Sequence, residues 1–322
     1  MSKSRYCIGV DLGGTNISAG LVRLDTKTIV RQFSIKTNAP RSCASIAEDV
    51  KEVCRKLCNR EGMKLSDLEW IGVATLGIVK DDVVALAFNL GWENAELGKI
   101  LSDITGRPTY VVNDANAAAY AEAVCGSGAD AKSLVAITLG TGVGGGIVID
   151  GKIWEGTNGF AAEVGHTVLI PGGKPCTCGK RGCFEAYCSK NALTDETKKM
   201  MKLYPESIMW KMCEGNLDRI NGKTAFDAKR EGDKCAELVV DDFIDKLAIG
   251  IGNVINVFQP DMVCIGGGIS REGENLLLPL REKVLDGTFG IDGKRTKLVP
   301  AKFRNDAGMI GAALLGLRSK LK

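Results

Sequence analysis

A layout that occurs twice constrains this chain most. Tyr6–Val22, YCIGVDLGGTNISAGLV, reads as a strand, a Gly-Gly turn and a second strand. Leu134–Trp154, LVAITLGTGVGGGIVIDGKIW, repeats it: strand, Gly-Thr-Gly turn, strand, an Asp150-Gly151 turn and a third strand. A chain that restarts its own pattern so far downstream predicts two related α/β halves, not a short-period repeat. With 322 residues it is also too long for one ordinary core. The boundary is expected near residue 117. That gives a smaller α/β lobe over 1–117, completed by a C-terminal helix over 306–322, and a larger α/β lobe over 118–305.

Further elements come from periodicity. Ile29–Ile35 reads as a third strand, and Cys43–Gly62 as a helix with apolar positions Ile46, Val50, Val53, Cys54 and Leu57, ended by Gly62. Trp70–Val79, WIGVATLGIV, is a single buried-type strand. Arg107–Gly126 is a strand to Val112, a turn at Asn113-Asp114 and an alanine-rich helix. A long helix over Cys235–Phe258 carries a stripe of Leu238, Phe243, Leu247, Ile251, Val254, Ile255 and Phe258, and Pro260 stops it. Met262–Ser270 is a strand running into three glycines. Glu274–Leu285 is helical with Pro279 in its first turn.

Composition removes several classes. Apolar residues make up 45% and charged residues 25%, as in soluble globular proteins. The 42 basic and 39 acidic side chains leave a net charge of +3, which argues against a nucleic-acid partner. No apolar stretch approaches the ~18 residues of a membrane span, and the opening MSKSRYCIGVDLGG fits no secretory signal. A cytoplasmic protein with no membrane partner is expected. The cysteines outside one cluster are scattered in apolar contexts and are expected to be reduced.

That cluster lies in Glu163–Glu185, EVGHTVLIPGGKPCTCGKRGCFE, which holds His166, the only histidine, with Cys176, Cys178 and Cys183. One imidazole and three thiolates can surround Zn²⁺ tetrahedrally, and four protein ligands leave no position for water, so such a site is structural. The competing readings are ordinary thiols beside a core histidine, or a redox motif, which the spacing does not favour because it is not Cys-x-x-Cys. If zinc takes one ring nitrogen of His166, the other carries the proton and can donate to a ligand. Glu163 and Glu185 flank the cluster.

Asp11–Asn16, DLGGTN, and Leu139–Gly146, LGTGVGGG, set glycine and threonine between strands, where backbone N–H groups can approach an anion. Neither is a Walker A loop or a dinucleotide fingerprint, and either alone can be a purely structural hairpin. With Gly266–Ser270 they suit a nucleotide gripped between two lobes. Asp11 can hold Mg²⁺. Asp114, between a strand and a helix, is either an N-cap or a base for an attacking hydroxyl, and Asn113 beside it can bind a polyol.

Together these residues resemble the ROK family (repressors, open reading frames and sugar kinases), and most closely its bacterial glucokinase-like members. The resemblance runs through DLGGTN, NDANAAAYAE, LGTGVGGGIVIDGKIWEGTNGFAAEVGH, CTCGKRGCFE, CIGGGIS and AGMIGAALL. It implies an α/β, actin-like (ribonuclease H-like) two-lobed sugar kinase using Mg-ATP and a structural Zn²⁺, commonly a homodimer or homotetramer. Asp114 matches the catalytic base. Gly77, Asn89, Asn113, Glu163, His166 and Glu185 match sugar-binding positions. His166, Cys176, Cys178 and Cys183 match the zinc ligands. Asp11, Gly13, Gly14, Thr15, Thr141, Gly142, Gly266, Gly267 and Gly268 match the ATP and Mg²⁺ elements.

The chain departs from the family at Leu76, where proline is usual before Gly77. Leucine does not fix φ as proline does, which leaves the hexose open. Glucose is the first expectation, followed by N-acetylglucosamine or N-acetylmannosamine, then fructose or allose. A sugar-sensing repressor is the alternative class. The first strand is expected about five residues in, which leaves no room for the helix-turn-helix such repressors carry.

Overall fold

The computed structural model describes residues 4–290 and 295–320. Its strands are β1 (Tyr6–Leu12), β2 (Asn16–Arg23), β3 (Thr28–Lys36), β4 (Leu68–Thr75), β5 (Ile78–Lys80), β6 (Val83–Ala87), β7 (Trp92–Ala95), β8 (Thr109–Asn113), β9 (Ser133–Leu139), β10 (Val143–Ile149), β11 (Lys152–Ile153), β12 (Met262–Gly267) and β13 (Lys297–Pro300). Its helices are α1 (Cys43–Arg60), α2 (Leu97–Thr105), α3 (Asp114–Cys125), α4 (Glu185–Cys188), α5 (Lys190–Leu203), α6 (Met209–Met212), α7 (Thr224–Arg230), α8 (Lys234–Phe258), α9 (Glu274–Gly287) and α10 (Ala307–Leu314). Two compact units form. One runs through Ser133 and takes in Gly146–Ala162 and the chain from Asn305 on, and the other comprises Leu134–Gly145 and Glu163–Arg304. The first unit therefore continues past residue 117 through the whole of α3.

The repeated layout reappears as topology. One sheet has the order β3-β2-β1-β4-β8 and another the order β11-β10-β9-β12-β13: the same path taken twice. In the first, β1, β2 and β3 form an antiparallel meander, while β4 pairs with β1 and β8 with β4 in parallel. In the second, β12 runs parallel to both β9 and β13. Parallel register carries the carboxyl ends of neighbouring strands to one edge. In the first unit Leu12 stands beside Thr75, and Thr75 beside Asn113. In the second, Gly267 stands beside Leu139.

The core of the first unit lies between this sheet and α1. Ser42 caps α1 by accepting from the Ser45 N–H, and its expected apolar face, Ile46, Val50, Val53, Cys54 and Leu57, is buried. α10 covers β1 and β4 so closely that no side chain fits at Gly9 or Gly72. A Cβ on Gly72 would lie 1.8 Å from the Ala312 carbonyl oxygen, and one on Gly9 1.9 Å from that of Met309. The Ala313 carbonyl then accepts from Trp70 Nε1 at 2.7 Å.

Several expectations change. Trp70–Val79 is not one strand, because β4 ends at Thr75 and β5 starts at Ile78, with Gly77 between them at φ +89°. On α8, Leu238 and Phe258 are exposed, while Val239, Val240, Phe243, Ile244, Leu247, Ile251, Val254 and Ile255 are buried. Leu238 precedes Phe243 by five positions, and at ~100° per residue that turns it well off the buried face. Pro279 sits inside α9 beyond its first turn. The expected helix over 306–322 is α-helical over Ala307–Leu314 and 3₁₀ over Leu315–Lys320, and residues 321–322 lie outside the described residues. Among the described residues no disulfide forms, and outside the cluster all cysteines but Cys43 and Cys125 are buried. No helix among them is long and apolar enough to cross a membrane.

Replacing Gly72 by valine drives a branched side chain into the α10 backbone. We expect a loss of at least ~3 kcal/mol of stability, read as a fall in denaturant midpoint. Wild-type stability in Gly72→Val would reject this packing account.

Candidate active site

In the first unit, Asp11, Gly77, Asn113 and Asp114 are gathered at the carboxyl ends of β1, β4 and β8, the edge at which open parallel sheets bind ligands. Asn113 caps α3: its Oδ1 accepts from the N–H groups of Ala115 at 2.9 Å and Asn116 at 3.2 Å. The capping alternative for Asp114 thus passes to its neighbour. Asp114 is the first helical residue, and its Oδ1 also accepts from the Ala115 N–H, at 2.9 Å.

Asn113 has a second task. Its Nδ2 donates to the Gly77 carbonyl at 2.9 Å, so an amide holds the loop that lacks the expected proline. Gly77 is required there, since a Cβ would sit 2.1 Å from the Leu86 carbonyl oxygen. Leu76 and Asn89 both approach the Gly13-Gly14 turn: a Cβ on Gly14 would lie 3.4 Å from Asn89 Cβ and 3.9 Å from Leu76 Cδ1. Asn89 and Thr15 are exposed.

Asp11 ends the run of buried residues in β1 and lines an open recess of about 260 Å³ with Ser18, Gln32, Ser34 and Asp306. Burial, and then the negative charge of Asp114, push its carboxyl up to about 6.

In the second unit, the Gly140–Gly142 turn comes after β9 and the Gly266–Gly268 run ends β12, so parallel pairing sets the two glycine turns side by side. The Gly140 N–H donates to the Gly142 carbonyl at 3.0 Å, and the Gly140 carbonyl accepts from the Lys190 N–H at 2.8 Å.

The cluster assembles as its spacing suggests. The ligand atoms of His166, Cys176, Cys178 and Cys183 all lie within 4.8 Å of one another. His166 Nδ1 is 3.6 Å from Cys176 Sγ, and Cys178 Sγ is 3.7 Å from Cys183 Sγ. Such spacings fit donors about 2.3 Å from one tetrahedral ion. Burial, and then the neighbouring Cys176 and Cys178, push the Cys183 thiol up, a cost a bound cation would reverse. With Nδ1 turned to the sulfurs, His166 Nε2 faces Glu163, 4.0 Å from its Oε2. Glu163 is exposed.

Glu185 is not the open acceptor its flanking position suggests. Its Oε2 accepts from the Val143 N–H at 3.0 Å, and its Oε1 accepts from Thr177 Oγ1 at 3.0 Å. Val143, Thr177 and Gly165 are thus site residues that sequence reasoning missed. Only Gly165, a glycine inside EVGH with no turn to explain it, offered a signal.

Comparison with known proteins decides the family. The ROK family pattern matches residues 7–319. The chain belongs to the ROK family. It is 37% identical to the glucokinase of Thermotoga maritima over 312 residues, 95% of each chain. It is 33% identical to the xylose repressor of Caldicellulosiruptor bescii, over 98% of this chain and 78% of that one. The ROK family glucokinase of Streptomyces griseus, solved with glucose and AMPPNP, matches with a TM-score of 0.80 at 34% identity, covering 96% of this chain and 98% of that one. The twice-used sheet order is accordingly that of the actin-like, ribonuclease H-like sugar kinases.

The raised Asp11 carboxyl has a consequence for stability. A folded-state value above the unfolded one gives stability that is complete below about pH 4 and lost as pH rises through about 6. Without magnesium or nucleotide, Asp11→Asn should melt a few degrees above wild type near pH 8, with the gap closing near pH 4. A variant that melts no higher than wild type near pH 8 would contradict the assigned burial.

Proposed function

We propose that this ROK protein is an ATP-dependent hexose kinase that phosphorylates the primary hydroxyl of glucose. The supporting observation is the placement of Asp114 at the carboxyl end of β8, beside Asp11 at that of β1. A repressor needs sugar binding alone and has no use for a base at a strand end.

Asp114 acts as the base. Its carboxylate is oriented by the Ala115 N–H and takes the proton of the sugar hydroxyl as that oxygen bonds to the γ-phosphorus and the bond to the β–γ bridging oxygen breaks, releasing ADP. Asp11 holds magnesium, directly or through water. Gly13, Gly14 and Thr15, with Thr141, Gly142 and Gly266–Gly268, supply N–H and hydroxyl donors to the phosphates. Asn89, Asn113, Glu163 and the Nε2–H of His166 bind sugar hydroxyls, and Asn113 keeps Gly77 in place. Catalysis is mainly positioning and charge stabilisation. His166, Cys176, Cys178 and Cys183 would hold Zn²⁺, which would supply rigidity to the loop between Glu163 and Glu185. A cytoplasmic location and a homodimer or homotetramer belong to the same reading.

Asp114→Asn should keep glucose affinity within about threefold and lose turnover by ~10³-fold or more. A coupled assay with ATP, run on glucose, N-acetylglucosamine, N-acetylmannosamine, fructose and allose, should give glucose the highest kcat/KM. Near-normal turnover in Asp114→Asn would remove it as the base. Purified protein should carry one zinc per chain by elemental analysis, and Cys178→Ala should lose the ion and melt at lower temperature. A metal-free wild-type chain with full activity would refute the role given to the cluster.

A further inference from the structure

The loop that carries the metal donors is joined to the Gly-Thr-Gly turn at Val143. Its first end supplies Gly165, one residue before His166, and its second end supplies Glu185, two residues after Cys183. Both land on Val143. Glu185 Oε2 accepts from the Val143 N–H at 3.0 Å. Gly165 covers the Val143 carbonyl so tightly that a Cβ there would lie 2.0 Å from its oxygen. On the turn side, a Cβ on Gly142 would lie 2.2 Å from Glu185 Oε2. Two glycines thus make room for one clamp. The remaining oxygen of Glu185 is held by Thr177 Oγ1, which lies between Cys176 and Cys178. The same oxygen lies 3.7 Å from Cys176 Sγ, so the carboxylate takes one donor from the turn and two from the metal-donor loop.

We infer that Glu185 and Gly165 are positioning residues for the nucleotide: they clamp Val143, so the order of the metal-donor loop fixes the Thr141-Gly142-Val143 turn and with it nucleotide affinity. This rests on the reading that the turn meets the phosphates of ATP. Backbone N–H groups hold a phosphate only when pre-aimed, and a turn with glycines on either side of Thr141 has little stiffness of its own. The clamp supplies it by fixing both the N–H and the carbonyl of the residue that closes the turn. The role is separate from any contact of Glu185 with sugar and acts with no sugar present.

The test is calorimetric binding of ADP with magnesium, without sugar, to the zinc-loaded wild type and three variants. Melting temperature and zinc content are read on the same samples. Glu185→Ala should weaken ADP about tenfold, the scale of a lost charge-assisted hydrogen bond. Glu185→Gln keeps an oxygen for the Val143 N–H and should stay within about threefold of wild type. Gly165→Ala, which displaces the Val143 carbonyl, should weaken ADP at least as much as Glu185→Ala. Wild-type ADP affinity in Glu185→Ala overturns the proposal. If that variant does not fold, wild-type affinity in Gly165→Ala does so. A wild-type chain that binds no ADP at all would instead overturn the kinase reading.

Discussion

Parallel pairing is the constraint on which the rest of this molecule depends. Because β1, β4 and β8 run the same way in register, Asp11, the Gly77 loop and the Asn113-Asp114 pair arrive at one edge although about a hundred positions separate them in sequence. The same arrangement of β9 and β12 brings together two glycine turns that are still farther apart. Backbone hydrogen bonding supplies this convergence. Chemistry is then confined to the few residues just beyond each strand end, in a turn or at the start of a helix.

Much of this was legible beforehand, for identifiable reasons. Glycine, threonine and aspartate packed between apolar runs are costly to keep unless a turn or an anion uses them, so the turns at Gly13 and Thr141 stood out. Four soft donors within one loop fit a single tetrahedral ion, so the cluster at His166 to Cys183 was visible from spacing alone. The recurrence of strand, glycine turn and strand became two sheets with the same strand order.

What escaped depends on three-dimensional contact. Leu238 is the exception: it stands five positions before Phe243, off the buried face of α8, and the helical angle alone separates the two. Trp70–Val79 read as one strand because nothing local announces that Gly77 must turn against Leu86. Asn113 and Glu185 looked like ligands to a sugar. Each in fact spends part of its polar capacity on the scaffold, Asn113 on α3 and Gly77, Glu185 on Val143 and Thr177. A side chain's partners within the protein cannot be read from its type, and they decide how much of it remains for anything else.

The close seat of α10 on the first sheet bears on how the chain reaches its native state. Cys7 Sγ donates to the Ala313 carbonyl at 3.1 Å across a sequence separation of 306 residues. The shallow groove over Gly9 and Gly72 is filled by a segment some 300 positions further along the chain. Joining the first sheet to α10 therefore closes a far longer loop than pairing β9 with β12, and carries the larger loop-closure entropy.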